Sequence, residues 1–260
     1  MATRHFIQKL RVFLSERKNS KLSQFYLAAR NTGELCRTIF RSGSNRALWI
    51  LNYIESVQGG HESIKCKLPV DRSKYPLPWY TYPAIEYLQQ LDFSNCDIFE
   101  YGSGNSSKFW SKRAKTLISV ESDPVWYESG LLELSSNRRL LLRKDKAGYV
   151  DAIHLGGSCY DIIVIDGAYR HSCAVEAIKS IKDGGLIILD NSDWWPKTAK
   201  LLRDARLNQI DFIGAGPINS YAWCTSLFFQ DKFSIPRRTD QETIQVEGGI
   251  VQKAEQDGQV

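Results

Sequence analysis

The chain has 260 residues, is 43% hydrophobic and carries a formal net charge of +5, enough apolar material for one substantial core, yet no apolar run reaches the roughly 20 residues of a membrane span. Lys9, Arg11, Glu16 and Arg17 interrupt the N-terminus, so a secretory signal is not expected there. Six scattered cysteines (Cys36, Cys66, Cys96, Cys159, Cys173 and Cys224) include no C-x-x-C pair, which argues against zinc and for reduced packing residues in a cytoplasmic protein.

Charge is concentrated at the front. Residues 1–60 hold ten Lys or Arg against three acids, Glu16, Glu34 and Glu55, so this part is +7 and the remainder −2. Phe6, Leu10, Phe13 and Leu14 fall near one face of a predicted basic helix. Three readings fit it: a helix packed on the domain with a solvated basic face, a helix lying on an anionic membrane surface, or an organelle-targeting peptide. Nucleic-acid binding is not expected, because no known recognition module accompanies the basic residues.

Leu48, Leu51 and Ile54 predict a helix over 47–57, ended by Gly59-Gly60, and residues 59–74 read as a linker. The aromatic run from Tyr75 to Pro83 leads into a predicted helix over 84–91, with Pro83 suited to its first position. Asp97 to Tyr101 then reads as a strand that breaks into Gly102-Ser103-Gly104, followed by a helix and a second strand, Thr116 to Val120, that ends at Glu121. Strand, glycine turn, helix, strand and acid form the pattern of a nucleotide-binding βαβ unit. Such glycines admit a ligand close to the backbone, and an acid in the position of Glu121 accepts ribose hydroxyls. Glu100, just before the first glycine, is expected at the mouth of the turn, where it would repel a pyrophosphate and suit a cationic ligand. The third glycine of G-x-G-x-x-G is Ser107 here.

On these residues the stretch from Pro76 to Gln230 resembles the class I S-adenosylmethionine-dependent methyltransferases, whose first motif has the form acid-x-Gly-x-Gly. The resemblance implies a donor site formed by Glu100, Tyr101, Gly102, Ser103, Gly104, Ser106 and Glu121. It also implies that Asp145, after a predicted strand over 139–142, meets the adenine amine, and that Trp79, Tyr80 and Tyr82 wall the acceptor pocket or close the core. Helices are predicted over 126–134, 171–182 and 197–206, and strands over 160–166, 186–189, 210–213 and 222–229. The last strand pair looks like the antiparallel edge hairpin that separates these methyltransferases from nicotinamide dehydrogenases.

The expected fold is thus α/β: a Rossmann-like, doubly wound, mostly parallel seven-stranded sheet with an antiparallel edge hairpin, plus N-terminal helices. Residues 1–74 would form a basic helical extension and linker, 75–230 the methyltransferase domain, and 231–260 a polar, flexible tail. Ligands of open parallel sheets sit at the carboxyl ends of the strands, so Asp166 and Asp190 are expected to face the methyl acceptor. Asp166 and His171 are the candidate bases, and Arg170 would orient the substrate.

The run from Gly184 to Asn191 is similar to the fifth-strand motif of cation-dependent catechol-type O-methyltransferases, and that likeness implies a magnesium-type site of Asp166, Asp190 and Asn191. Gly167-Ala168-Tyr169-Arg170 lacks that family's acid and lysine, and Arg170 would then replace the metal's charge. Asp166 to Cys173 instead looks like bacterial methyltransferases associated with polysaccharide or natural-product clusters. The expected activity is O-methylation of a small-molecule or carbohydrate acceptor. An NAD(P)-dependent oxidoreductase and a non-catalytic adaptor are the alternatives.

Overall fold

Asp97–Tyr101 (β1) sets the pattern of the sheet. Ile98 and Phe99 have no solvent exposure, and successive side chains of a strand point to opposite faces. A computed structural model of the chain describes Gly33 and residues 44–238, apart from 133 and 158. The predicted basic helix around Phe6–Leu14 and the tail beyond residue 238 lie outside the described residues. The chain divides into two units, Met1–Ile54 and Glu55–Val260. In the first, the helix Ser44–Asn52 (α1) buries Ala47 and exposes Leu48, Trp49 and Ile50. A turn of π-helix, Tyr53–Val57, follows in sequence.

The stretch 59–74, expected as a linker, is structured instead. Gly59 at φ 84° admits the helix Gly60–Cys66 (α2), and Ser63 Oγ donates to Val70 O and accepts from Val70 N. Tyr82–Gln89 (α3) starts at the Thr81-Tyr82-Pro83 boundary. After β1 come Asn105–Ser111 (α4), Thr116–Glu121 (β2), Pro124–Leu131 (α5), Arg138–Leu142 (β3) and Lys146–Asp151 (α6). Tyr160–Ile165 (β4), Arg170–Ser180 (α7), Ile181–Asp190 (β5), Pro196–Asp204 (α8), Asn208–Gly214 (β6) and Trp223–Phe229 (β7) complete the fold. Helix α5 begins before the expected 126 because Asp123 caps it, accepting from Val125 N and Trp126 N, and Pro124 fits its first turn.

The sheet order is β3-β2-β1-β4-β5-β7-β6, parallel except that β7 runs antiparallel to both β5 and β6. The doubly wound expectation and its antiparallel edge pair are therefore correct. One face carries Phe99, Tyr101, Ile163, Ile165, Ile187 and Leu189 against α7 and α8. Ile98 and Glu100 alternate onto the other face. The final segment does not behave as a free tail from residue 231: Ile235 is buried, Asp92 N donates to Pro236 O, and Arg238 N donates to Gln90 O. Among the described residues no helix is long and apolar enough to cross a membrane.

Candidate functional site

Strand order reverses between β1 and β4, and their carboxyl ends meet there closely. Gly102 adopts φ 104°, and a Cβ on it would stand 3.2 Å from Asp166 O and Gly167 Cα. A Cβ on Gly167 would lie 2.1 Å from Tyr149 Oη. Only glycine lets these two turns touch. Above them opens a cavity of about 420 Å³. One side is Ser103–Ser106 of the glycine turn, with Trp126 over it. The other is Asp190, Asn191 and Trp194 after β5, with Asn219 and Tyr221 before β7. Asp166 and Arg170 lie between, and residues 67–69 with Trp79 supply a further wall.

The expectation that Glu100 faces a ligand at the mouth of the turn does not hold. Glu100 is the fourth residue of β1, not part of the turn, and its parity directs it beneath α4 with no exposure. Ser106 Oγ donates to it at 2.6 Å, Ser119 Oγ at 2.7 Å, and Ser107 Oγ also donates. Ser119 is its register neighbour on β2, which places that hydroxyl on the same face. Burial raises the Glu100 pKa against the opposing pull of the three hydroxyls and Arg138. The carboxylate thus braces the helix that follows the glycines.

Glu121 ends β2 as expected and reaches back to the turn. Its Oε2 accepts from Ser103 N at 3.0 Å, and its Oε1 accepts from Ser122 N and Asp123 N at 2.7 and 2.9 Å. Both acids of the sequence motif therefore hold the turn in shape, Glu100 from below and Glu121 from the side. Tyr101 is a core residue whose hydroxyl donates to Val150 O. Asp145, expected near an adenine, is exposed and caps α6 by accepting from Gly148 N. It is a capping residue rather than a cavity wall.

The carboxyl ends of β4 and β5 are organised by Arg170. Its Nη2 donates to Asp166 Oδ1 at 2.9 Å, its Nη1 to Asn191 Oδ1 at 2.9 Å and to Asp190 O, and its Nε to Gly167 O. The Asp190 carboxylate turns to the sheet, where Trp223 Nε1 and Thr225 Oγ1 donate to Oδ1. The expected magnesium set of Asp166, Asp190 and Asn191 does not fit: the guanidinium already takes the Asp166 and Asn191 side-chain oxygens, and the Asp190 carboxylate is held by Trp223 and Thr225. Among the described residues no cluster of three His, Cys, Asp or Glu is arranged to hold a metal.

Burial is the main cause that pushes the Asp166 pKa well above the ordinary carboxylate range, with Asp190 adding to it and Arg170 opposing. The side chain keeps 20% exposure, which leaves it open to a ligand in the cavity. Burial likewise lifts Asp190 to about 6, against the donors from Thr225 and Trp223. His171 is not part of this group. It is exposed on α7 and faces Thr198 Oγ1 at 3.4 Å, so the candidate base from the sequence reduces to Asp166.

Of the aromatic wall expected from residues 79–82, only Trp79 lines the cavity; Tyr80 and Tyr82 are buried in the core. Lys67, Asn105, Trp126, Asn219 and Tyr221 were absent from the sequence-based site. Lys67 follows α2 in a left-handed conformation, φ 55°, inside a segment with no linear signal of function. Asn219 and Tyr221 stand on a hairpin whose register decides which residues meet β5.

No protein-family profile and no curated protein matches the chain. Solved structures do. A precorrin-6y C5,15-methyltransferase from Geobacter metallireducens is 12% identical, with 63% of this chain and 98% of that one covered and a TM-score of 0.44. An rRNA methylase from Streptococcus thermophilus is 14% identical over 57% of this chain and 97% of its own, TM-score 0.44. A protein from Streptococcus mutans described as SAM-dependent methyltransferase is 15% identical at TM-score 0.40; 55% of this chain matches, spanning about half, 46%, of that protein. At this distance they assign no substrate to this chain.

Proposed function

We propose that the chain is an S-adenosylmethionine-dependent methyltransferase that methylates a hydroxyl of a small-molecule or carbohydrate acceptor, in a cytoplasm that keeps its scattered cysteines reduced. The observation that carries this reading is that the glycine turn and Asp166 line one cavity at the β1–β4 reversal, the place where open α/β sheets bind ligands. The antiparallel β7 between β5 and β6 departs from the 3-2-1-4-5-6 order of dinucleotide-binding sheets. That departure now weighs against a nicotinamide cofactor more than Glu100 does, because Glu100 is enclosed.

In this reading the donor lies along Ser103–Ser106, beside Glu121, and supplies an electrophilic methyl group on a sulfonium. The acceptor oxygen attacks the methyl carbon, the carbon–sulfur bond breaks, and its electron pair neutralises the sulfonium. The hydroxyl proton passes to the Asp166 carboxylate. Arg170 holds Asp166 in the geometry this needs, so the protein contributes alignment and one proton acceptor. The reading includes no metal step, since the guanidinium stands where the cation would be. Calorimetric titration with S-adenosylmethionine and S-adenosylhomocysteine tests it, with NAD as control: donor and product should bind, and NAD binding without either would overturn the assignment. Contact of the basic N-terminal segment with an anionic membrane is a separate proposal. Cosedimentation with phosphatidylglycerol vesicles tests it, and no lipid-dependent pelleting would remove it.

A further inference from the structure

The acceptor half of the cavity carries an aromatic wall that the transfer step does not use. Trp194 is 56% exposed and Tyr221 49% exposed, and both line the same cavity as Asp166. Their ring centroids are 6.1 Å apart. Sandwiching a ligand ring between two aromatic faces needs about 7 Å, twice the carbon contact distance, so this pair forms one wall and not a slot. The wall has a fixed root. Tyr221 meets Trp223 edge-on at 5.9 Å, and buried Trp223 donates to Asp190.

Large aromatic faces left in water beside a functional cavity mark a ligand surface. Their neighbours here are the amides of Asn191 and Asn219 and the carboxylate of Asp166. An amide both donates and accepts, as a hydroxyl does. Asn191 adopts a left-handed conformation, φ 53°, which asparagine accepts as a single turn residue, and its Oδ1 is fixed by Arg170. The complementary ligand has one apolar C–H face and a rim of hydroxyls, which describes a pyranose ring. A planar phenol gains most between two covering faces and needs few polar partners, so it fits this wall less well.

We infer that the methyl acceptor is a sugar ring whose C–H face packs on Trp194 and Tyr221, while Asn191 and Asn219 bind its hydroxyls and Asp166 receives the proton. The half-exposed wall leaves the far side of the ring open to solvent, as the terminal residue of a longer glycan requires. This rests on the methyltransferase reading and narrows its acceptor.

Saturation-transfer NMR on the full chain with S-adenosylhomocysteine tests it. The probes are methyl α-D-glucopyranoside, methyl β-D-galactopyranoside and methyl α-L-rhamnopyranoside, with catechol as the planar comparator. Ring C–H protons of at least one glycoside should saturate. The signal should fall about fivefold in W194A and Y221A, the loss of one aromatic stacking contact, and be retained in W194F. Catechol saturation without any glycoside, no signal from any probe, or a glycoside signal unchanged in both alanine variants would overturn the inference. Calorimetry with S-adenosylhomocysteine on the same samples separates the two failures: lost product binding sinks the methyltransferase reading, whereas retained binding without sugar contact sinks only the acceptor.

Discussion

The two halves of the cavity treat their carboxylates in opposite ways. At β1 and β2, Glu100 is fully enclosed by three serine hydroxyls, and both Glu121 oxygens accept from backbone N–H groups. At β4, Asp166 keeps a fifth of its side chain exposed and meets an arginine. The acids that announce the motif in the sequence are used to shape a turn, and the carboxylate that stays partly open to the cavity lies across the cleft. A conspicuous acid beside a glycine turn can thus be architecture, because a carboxylate with several buried donors is already satisfied.

Substitutions can break this contrast. The largest effect is expected for D166N, which should lower kcat by about 100-fold or more while leaving donor affinity within about twofold of wild type. Single-turnover rates with calorimetry would decide it, and a loss below tenfold would remove Asp166 as the base. E100A should cost roughly 3 kcal/mol, because three buried hydroxyls lose their acceptor. Urea unfolding measures this, and E100Q should restore part of it. A stable E100A protein with abolished donor binding would instead return Glu100 to the ligand.

Asp190 sharpens the comparison through pH. Its pKa is raised in the fold from the ordinary 3.8 to about 6, so the folded state binds the proton more tightly than the unfolded chain. The stability this contributes is complete below pH 4 and is lost as the pH rises through 6. The change is on the order of 3 kcal/mol. D190N should flatten that slope in unfolding curves recorded between pH 4 and 7, and an unchanged slope would show that Asp190 titrates normally. The smallest effect is expected for H171A, because His171 is exposed and outside the cavity: stability should stay within about 0.5 kcal/mol, with turnover unaffected. A large loss of turnover would bring it back into the site.

Much of the architecture was legible in the linear pattern. Ile162, Ile163, Val164 and Ile165 are apolar and β-branched, and residues 186–189 are apolar throughout, as strands covered on both faces must be, and the Gly-Ser-Gly turn marked where β1 ends. Side-chain direction was harder. Glu100 reads as facing a ligand at the mouth of the turn because it precedes Gly102 by two positions, yet it lies within the strand, whose parity sends it inward beneath α4. His171 and Arg170 are adjacent in sequence, but neighbouring positions on a helix face different ways, so only Arg170 reaches Asp166.

The amino-acid sequence by itself determined the alternation of strands and helices, the antiparallel last pair, and the position of the glycine turn, because hydrophobic periodicity and glycine's freedom at positive φ act over a few residues. Tertiary structure alone decided which acids face the cavity, that Arg170 takes the centre a cation would need, and that Lys67, Trp126 and Tyr221 line one cavity with Asp166. Those outcomes depend on register between strands and on contacts between segments far apart in the chain, where a shift of one residue reverses every side chain.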